Sequence, residues 1–118
     1  MPRYVILEHD HPHVHWDLML EAGERLRTWR LASAPEFDKA VVAEASFDHR
    51  LAYLEYEGPV SGGRGRVTRW DHGSYTLQAD EAERLVLHLD GQRLKGTVTL
   101  SRGDGQWLFQ IEESSFGI

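Results

Sequence analysis

Turn-forming residues punctuate this chain roughly every 8–12 positions, and the runs between them are too short for long helices. Gly23, Gly58, Gly73, Gly91 and Gly105 supply much of the punctuation, and Pro12, Pro35 and Pro59 break the connections. The intervening runs are rich in β-branched and aromatic residues, with apolar side chains at every second position in several of them. The pattern predicts about nine short strands, at 4–7, 15–21, 25–31, 39–46, 66–70, 74–77, 85–89, 92–100 and 107–111. Ala22-Gly23-Glu24, Asp71-His72-Gly73, Asp90-Gly91 and Asp104-Gly105 read as tight turns. Phe47-Asp48-His49-Arg50 also reads as a turn, 51–57 as a short helix or strand, 80–84 as one helical turn, and 112–118 as a tail. The expected fold is mostly β: a small antiparallel β-barrel with hairpins and at most one or two short helices. A barrel is favoured over a sandwich because its mouth offers a polar-lined place for the chain's histidines. With 118 residues, 1–118 is expected to be a single domain around one core.

Composition narrows the chemistry. The chain has no cysteine, so any metal must be held by nitrogen and oxygen ligands. Its formal charge is −6 with histidine neutral, which is not the footprint of a non-specific nucleic-acid binder. Nucleic-acid contact would need a local basic patch. The N-terminus lacks a signal-peptide pattern and no run approaches a membrane span, so the expectation is a cytoplasmic, non-membrane protein.

The segment His9-Asp10-His11-Pro12-His13-Val14-His15-Trp16-Asp17 concentrates the ligating residues. Four histidines occupy alternate positions, and Asp17 continues the alternation. From His15 onward the strand period sets His15, Asp17 and Met19 on one face and Trp16, Leu18 and Leu20 on the other. A His-x-Asp pair on a strand is either a metal pair or a surface hydrogen-bonded pair, and the residues alone leave both readings open. His9 joins the pair if the loop curls back, and His11 or His13 could replace it.

Elsewhere the readings are also double. His49 is a general acid, a phosphate contact, or a turn histidine bonded to Asp48. Tyr53 presents its hydroxyl to a phosphate oxygen, or is a core aromatic. Arg64, Arg66 and Arg69, in or after the glycine-rich 58–65 loop, form a strand-binding patch or a solvated face, and Arg25, Arg27 and Arg30 could extend it. The four tryptophans are mainly core, though one exposed ring could stack a base.

Taken together, His9 with His15-Trp16-Asp17 and Leu20-Glu21, Thr28-Trp29, Asp48-His49 with Tyr53, Glu57-Gly58, Val67-Thr68-Arg69-Trp70-Asp71-His72-Gly73, Leu94-Lys95-Gly96 and Trp107-Leu108 resemble the 3'-phosphoesterase domain of bacterial DNA ligase D. The likeness is to compact stand-alone members and covers nearly the whole chain. It implies a small β-barrel and a divalent-metal-dependent 3'-phosphodiesterase and phosphomonoesterase. Such a protein removes a 3'-ribonucleoside or 3'-phosphate in DNA end repair. The resemblance implies His9, His15 and Asp17 as metal ligands and His49 and Tyr53 as catalytic residues, with Arg64, Arg66 and Arg69 kept as the phosphate- and strand-binding set. It implies manganese, with zinc second, and nucleic-acid 3' ends as partners. It also implies separate ligase or polymerase repair proteins alongside a monomer. In three places the chain departs from the pattern. Met19 stands where ligase-linked members place a phosphate-contacting arginine, Leu7 stands where they often carry glutamine, and the 58–65 loop is shorter. Methionine presents no guanidinium fork, so the alternative is a catalytically impaired binding module for nucleic acid or phosphate on the same barrel.

Overall fold

The computed structural model describes residues 1–114. In chain order the elements are β1 (Arg3–His9), β2 (His15–Ala22), β3 (Arg25–Leu31), β4 (Val41–Arg50), one 3-10 turn (Leu51–Leu54), β5 (Gly58–Pro59), β6 (Arg66–Glu81), β7 (Arg84–Gly91), β8 (Lys95–Gly103) and β9 (Gln106–Glu113). The sheet runs β1-β2-β3-β4-β9-β8-β7-β6, and β6 pairs back onto β1. That closure makes an antiparallel barrel of eight strands, with the two-residue β5 attached to β6. Closing the ring pairs edges that an open sheet would leave exposed. The expected mostly-β barrel is the observed one.

Strand alternation separates two apolar clusters. Tyr4, Ile6, Leu18, Leu20, Trp29, Leu31, Val41 and Ala43 face Tyr75, Leu85, Leu87, Leu89, Val98, Leu100, Phe109 and Ile111. All eight ring strands contribute, so this cluster fills the barrel interior. On β7 and β8 the pattern is a simple alternation of buried and half-buried residues. β1 and β2 differ, because they are buried on both faces. Their opposite parity, Val5, Leu7 and Met19, joins Leu26, Val67 and Leu54 in a second cluster, flanked by Leu51, Tyr53 and Val60. This cluster lies on the outer face of the barrel, roofed by the connection between β4 and β6. Each such buried aliphatic side chain contributes roughly 1.5–3 kcal/mol. The roof is therefore firmly attached.

That second cluster corrects the expectation of a site in the barrel mouth. His15, Asp17 and Met19 share the outward face of β2, opposite to the interior residues Leu18 and Leu20.

Several local expectations also change. Phe47-Asp48-His49-Arg50 is not a turn but the last part of β4. Asp71-His72-Gly73 lies inside the 16-residue β6, where the strand bends as it exchanges β1 for β7 as its partner. Gly73 sits directly opposite Gly91, and a side chain at Gly73 would meet the Asp90 carbonyl oxygen at 2.1 Å. The glycine thus serves a tight barrel corner instead of a hairpin. Residues 80–84 are not helical: Glu81 pairs with Arg84 across a two-residue turn. The 92–100 strand begins at Lys95, because 92–94 form the β7–β8 turn. Of the expected tail, Glu112 and Glu113 belong to β9, and 115–118 lie outside the described residues. Among the described residues the only helical element is the 3-10 turn, and no helix is long and apolar enough to cross a membrane.

Candidate functional site

His9 ends β1 and His15 begins β2, and the two are direct cross-strand partners. Asp17 follows two residues later on the same face. Together they bring one ligating atom each within 4.8 Å of one another. Backbone carbonyls orient both rings. His9 Nε2–H donates to the Arg64 carbonyl at 2.7 Å, and His15 Nδ1–H donates to the His13 carbonyl at 2.9 Å. With those protons assigned, His9 Nδ1 and His15 Nε2 carry lone pairs directed at the Asp17 carboxylate, 4.0 and 3.2 Å away. Two lone pairs and a buried carboxylate repel unless a cation lies among them. A proton on an imidazole meets that need, and so does a divalent ion. Carbonyl-anchored histidines with a carboxylate are an ordinary ligand set for a borderline divalent metal. The residues therefore fit a metal.

The triad opens into a cleft of about 400 Å³ on the outer face. Leu7, Met19 and Val67 make its floor, and His49, Tyr53 and Val60 its roof side. Met19 is only 2% exposed and belongs to the outer cluster. The floor beside Asp17 is consequently apolar. Cations ring it instead: Arg30, Arg50 and Arg64 all line the cleft. Arg30 is the β3 partner of Asp17, and its Nε lies 3.9 Å from Asp17 Oδ1. Arg64 is braced by Ser61, its Nε donating to the Ser61 carbonyl at 2.7 Å.

His49 Nδ1 lies 3.0 Å from both the Phe47 carbonyl and Thr28 Oγ1. Thr28 donates its own hydroxyl proton to the Leu26 carbonyl at 3.0 Å, so the Nδ1–H is shared between the two oxygens. The His49 Nε2 is then the atom left without a proton. Burial lowers the pKa of His49 below its ordinary 6.5, against an upward pull from the Asp17 charge. The ring stacks on Phe47 and meets Tyr53 edge-on at 5.7 Å.

Of the residues singled out from sequence, His9, Asp17, His49, Tyr53 and Arg64 line this one cleft, and His15 completes the triad behind it. Arg66 and Arg69 do not line it. The Arg66 amide donates to Asp10 Oδ1, and the Arg69 amide to Glu57 Oε2. His11 lines the cleft, and exposed His13 acts through its carbonyl alone. The sequence reading named Arg30 only as an extension of a basic patch, and did not consider Arg50, Thr28 or Phe47 for the site. Arg30 was accessible from sequence: a two-residue Gly23-Glu24 turn sets Ala22 against Arg25 and hence Asp17 against Arg30.

A family model described as the DNA Ligase D 3'-phosphoesterase domain matches residues 7–102. The multifunctional non-homologous end joining protein LigD of Pseudomonas aeruginosa is 34% identical over 110 residues, covering 85% of this chain and 13% of that protein. The multifunctional non-homologous end joining DNA repair protein LigD of Mycobacterium tuberculosis is 30% identical over 115 residues, covering 89% of this chain and 15% of that protein. The chain thus spans only about a seventh of the length of these relatives.

Proposed function

The chain belongs to the DNA ligase D 3'-phosphoesterase domain family, and from that premise we propose that it is a divalent-metal-dependent phosphoesterase that processes 3' ends of DNA or RNA in end repair. The observation that carries the reading is the convergence of His9 Nδ1, His15 Nε2 and the Asp17 carboxylate at the edge of an arginine-ringed cleft. His9, His15 and Asp17 hold the ion, manganese or zinc by the nature of the donors. When bound, such an ion supplies positive charge that polarises a phosphoryl oxygen and acidifies water.

The chain's own residues supply the remaining functions. Arg30 and Arg64 offset phosphate charge from opposite walls of the cleft. Tyr53 donates its hydroxyl to a phosphate oxygen. His49 rests neutral, so its Nε2 first takes a proton from solvent water as the substrate binds. The negative charge of a bound phosphate strengthens that proton's hold, and the same atom can then give it to the leaving oxygen. The barrel works in the cytoplasm as a monomer, alongside ligase and polymerase activities in the same repair process.

Incubation with Mn²⁺ and a primer ending in a ribonucleotide, or in a 3'-phosphate, tests the proposal. The expected products are a primer shortened by the terminal ribonucleoside and a primer with a 3'-hydroxyl. An intact primer, in conditions where an established family member trims it, sinks the enzyme reading. The second reading is a module that binds 3' ends without turnover. It is favoured by the buried Met19, which leaves the floor next to Asp17 without a cation. Turnover by the native protein excludes it.

A further inference from the structure

Phe47 is an exposed aromatic ring beside the candidate site. It is 75% exposed, so it contributes little to either apolar cluster. It is nonetheless stacked on His49, with ring centroids 4.7 Å apart and planes 14° from parallel. Its high exposure leaves the opposite face of the ring open, and both rings line the cleft that contains His9 and Asp17.

A β-bulge accounts for the placement. Ser46 pairs with Thr28, and His49 pairs with Leu26, so Phe47 and Asp48 together face the single residue Arg27. In an unbulged strand the three-residue spacing would put Ser46 and His49 on opposite faces of β4. The bulge keeps both on the cleft side and turns Phe47 out beside His49. Re-aiming a side chain next to a site is a common use of such an insertion.

We propose that Phe47 is the stacking platform for the base of the 3'-terminal nucleotide. The proposal rests on the 3'-end reading above. A nucleotide whose phosphate reaches His49 and Tyr53 brings its own base to the neighbouring ring. Every base has a π-face, so one aromatic ring accepts all four bases, as a protein that trims ends of any sequence requires. The chain's charge of −6 makes long-range attraction to phosphate a weak source of affinity, which gives stacking a larger share. No tryptophan takes this role: Trp29 is buried in the barrel interior, and Trp16, Trp70 and Trp107 pack against it.

The test uses oligonucleotides carrying 2-aminopurine either as the last base or three bases inward, mixed with the protein and Mn²⁺ in stopped flow and read before turnover. The wild type quenches the terminal probe and not the internal one. Phe47→Ala abolishes the quench and weakens binding about tenfold, and Phe47→Trp retains both. An abasic last nucleotide binds the wild type as weakly as an intact end binds Phe47→Ala. Equal quenching at both positions, unchanged binding by Phe47→Ala, or no binding by the wild type overturns the platform. Phe47-dependent quenching without trimming sinks the enzyme reading and leaves the platform standing. Trimming that is indifferent to Phe47→Ala does the reverse.

Discussion

Asp71 and Asp17 are both buried, at 1% and 6% exposure, and their surroundings are opposite. Asp71 lies at the barrel corner, on the interior side. Its Oδ2 accepts the Tyr4 hydroxyl at 2.5 Å and the Leu94 amide at 3.2 Å. Its Oδ1 accepts the amides of Gln92 and Arg93 at 2.9 and 2.8 Å. Burial, and then the carboxylate itself, push the Tyr4 phenol far above its ordinary pKa, so it stays a donor. Gly91 makes the closeness possible, since a Cβ there would sit 1.9 Å from the Tyr4 hydroxyl oxygen. Asp17 lies on the outer face and has no such saturation. Its nearest polar neighbours are His15 Nε2 at 3.2 Å, Arg30 Nε at 3.9 Å and His9 Nδ1 at 4.0 Å. A buried carboxylate saturated by protein donors stabilises a fold. One whose nearest neighbours are two imidazole nitrogens and a single guanidinium at 3.9 Å has lone-pair capacity left for a further cation. Burial alone does not distinguish them; the donors do.

The contrast can be broken most forcefully at Asp71. Asp71→Ala strands a phenol and three amides in the interior, and is expected to cost roughly 3–5 kcal/mol in urea unfolding, with or without divalent metal. A loss below about 1 kcal/mol would remove the structural half of the comparison. Asp17→Asn is the counterpart. Metal at 100 times its Kd should stabilise the wild type by about 2.7 kcal/mol, read as a rise in melting temperature. In Asp17→Asn that rise should disappear, while metal-free stability stays within about 1 kcal/mol of the wild type. An equal metal-induced rise in both proteins would argue that Asp17 holds nothing. The smallest effect belongs to His49. In an NMR titration its ring should reach its midpoint below the ordinary 6.5. The sign for stability follows. The folded protein disfavours the charged ring, so His49's contribution is complete above pH 6.5 and is lost as the pH falls through the lowered folded value. A His49 midpoint at or above 6.5 contradicts the burial argument.

Local chemistry made some of this legible in advance. The Gly23-Glu24 turn, with Arg25 following at once, sets the β2–β3 register, and Asp104-Gly105 carries two positive φ angles of the kind a tight hairpin demands. Alternation alone puts His15 and Asp17 on one face, and the family resemblance, not the spacing, singled out His9 over His11 and His13 to join them. The failures have a shared cause. Phe47-Asp48-His49-Arg50 and Asp71-His72-Gly73 carry turn-forming residues, yet both lie within strands. Propensity reports what a residue prefers when water satisfies its polar groups. At Asp71 the 92–94 amides replace the water, and at His49 the Thr28 hydroxyl and Phe47 carbonyl do. The 92–94 amides and Thr28 come from elsewhere in the fold, so no window around Asp71 or His49 contains them.

The sequence by itself determined that the chain folds as short antiparallel strands joined by hairpins and that His15 and Asp17 share a strand face, because period-2 alternation and tight turns are local consequences of backbone sterics. Only the tertiary structure decided that this face lies outside the barrel, under the β4–β6 connection, and that a bulge opposite Arg27 sets Phe47 on His49 above the cleft. Alternation says that two faces exist. Which of them becomes the interior depends on how eight strands close around their largest shared apolar surface.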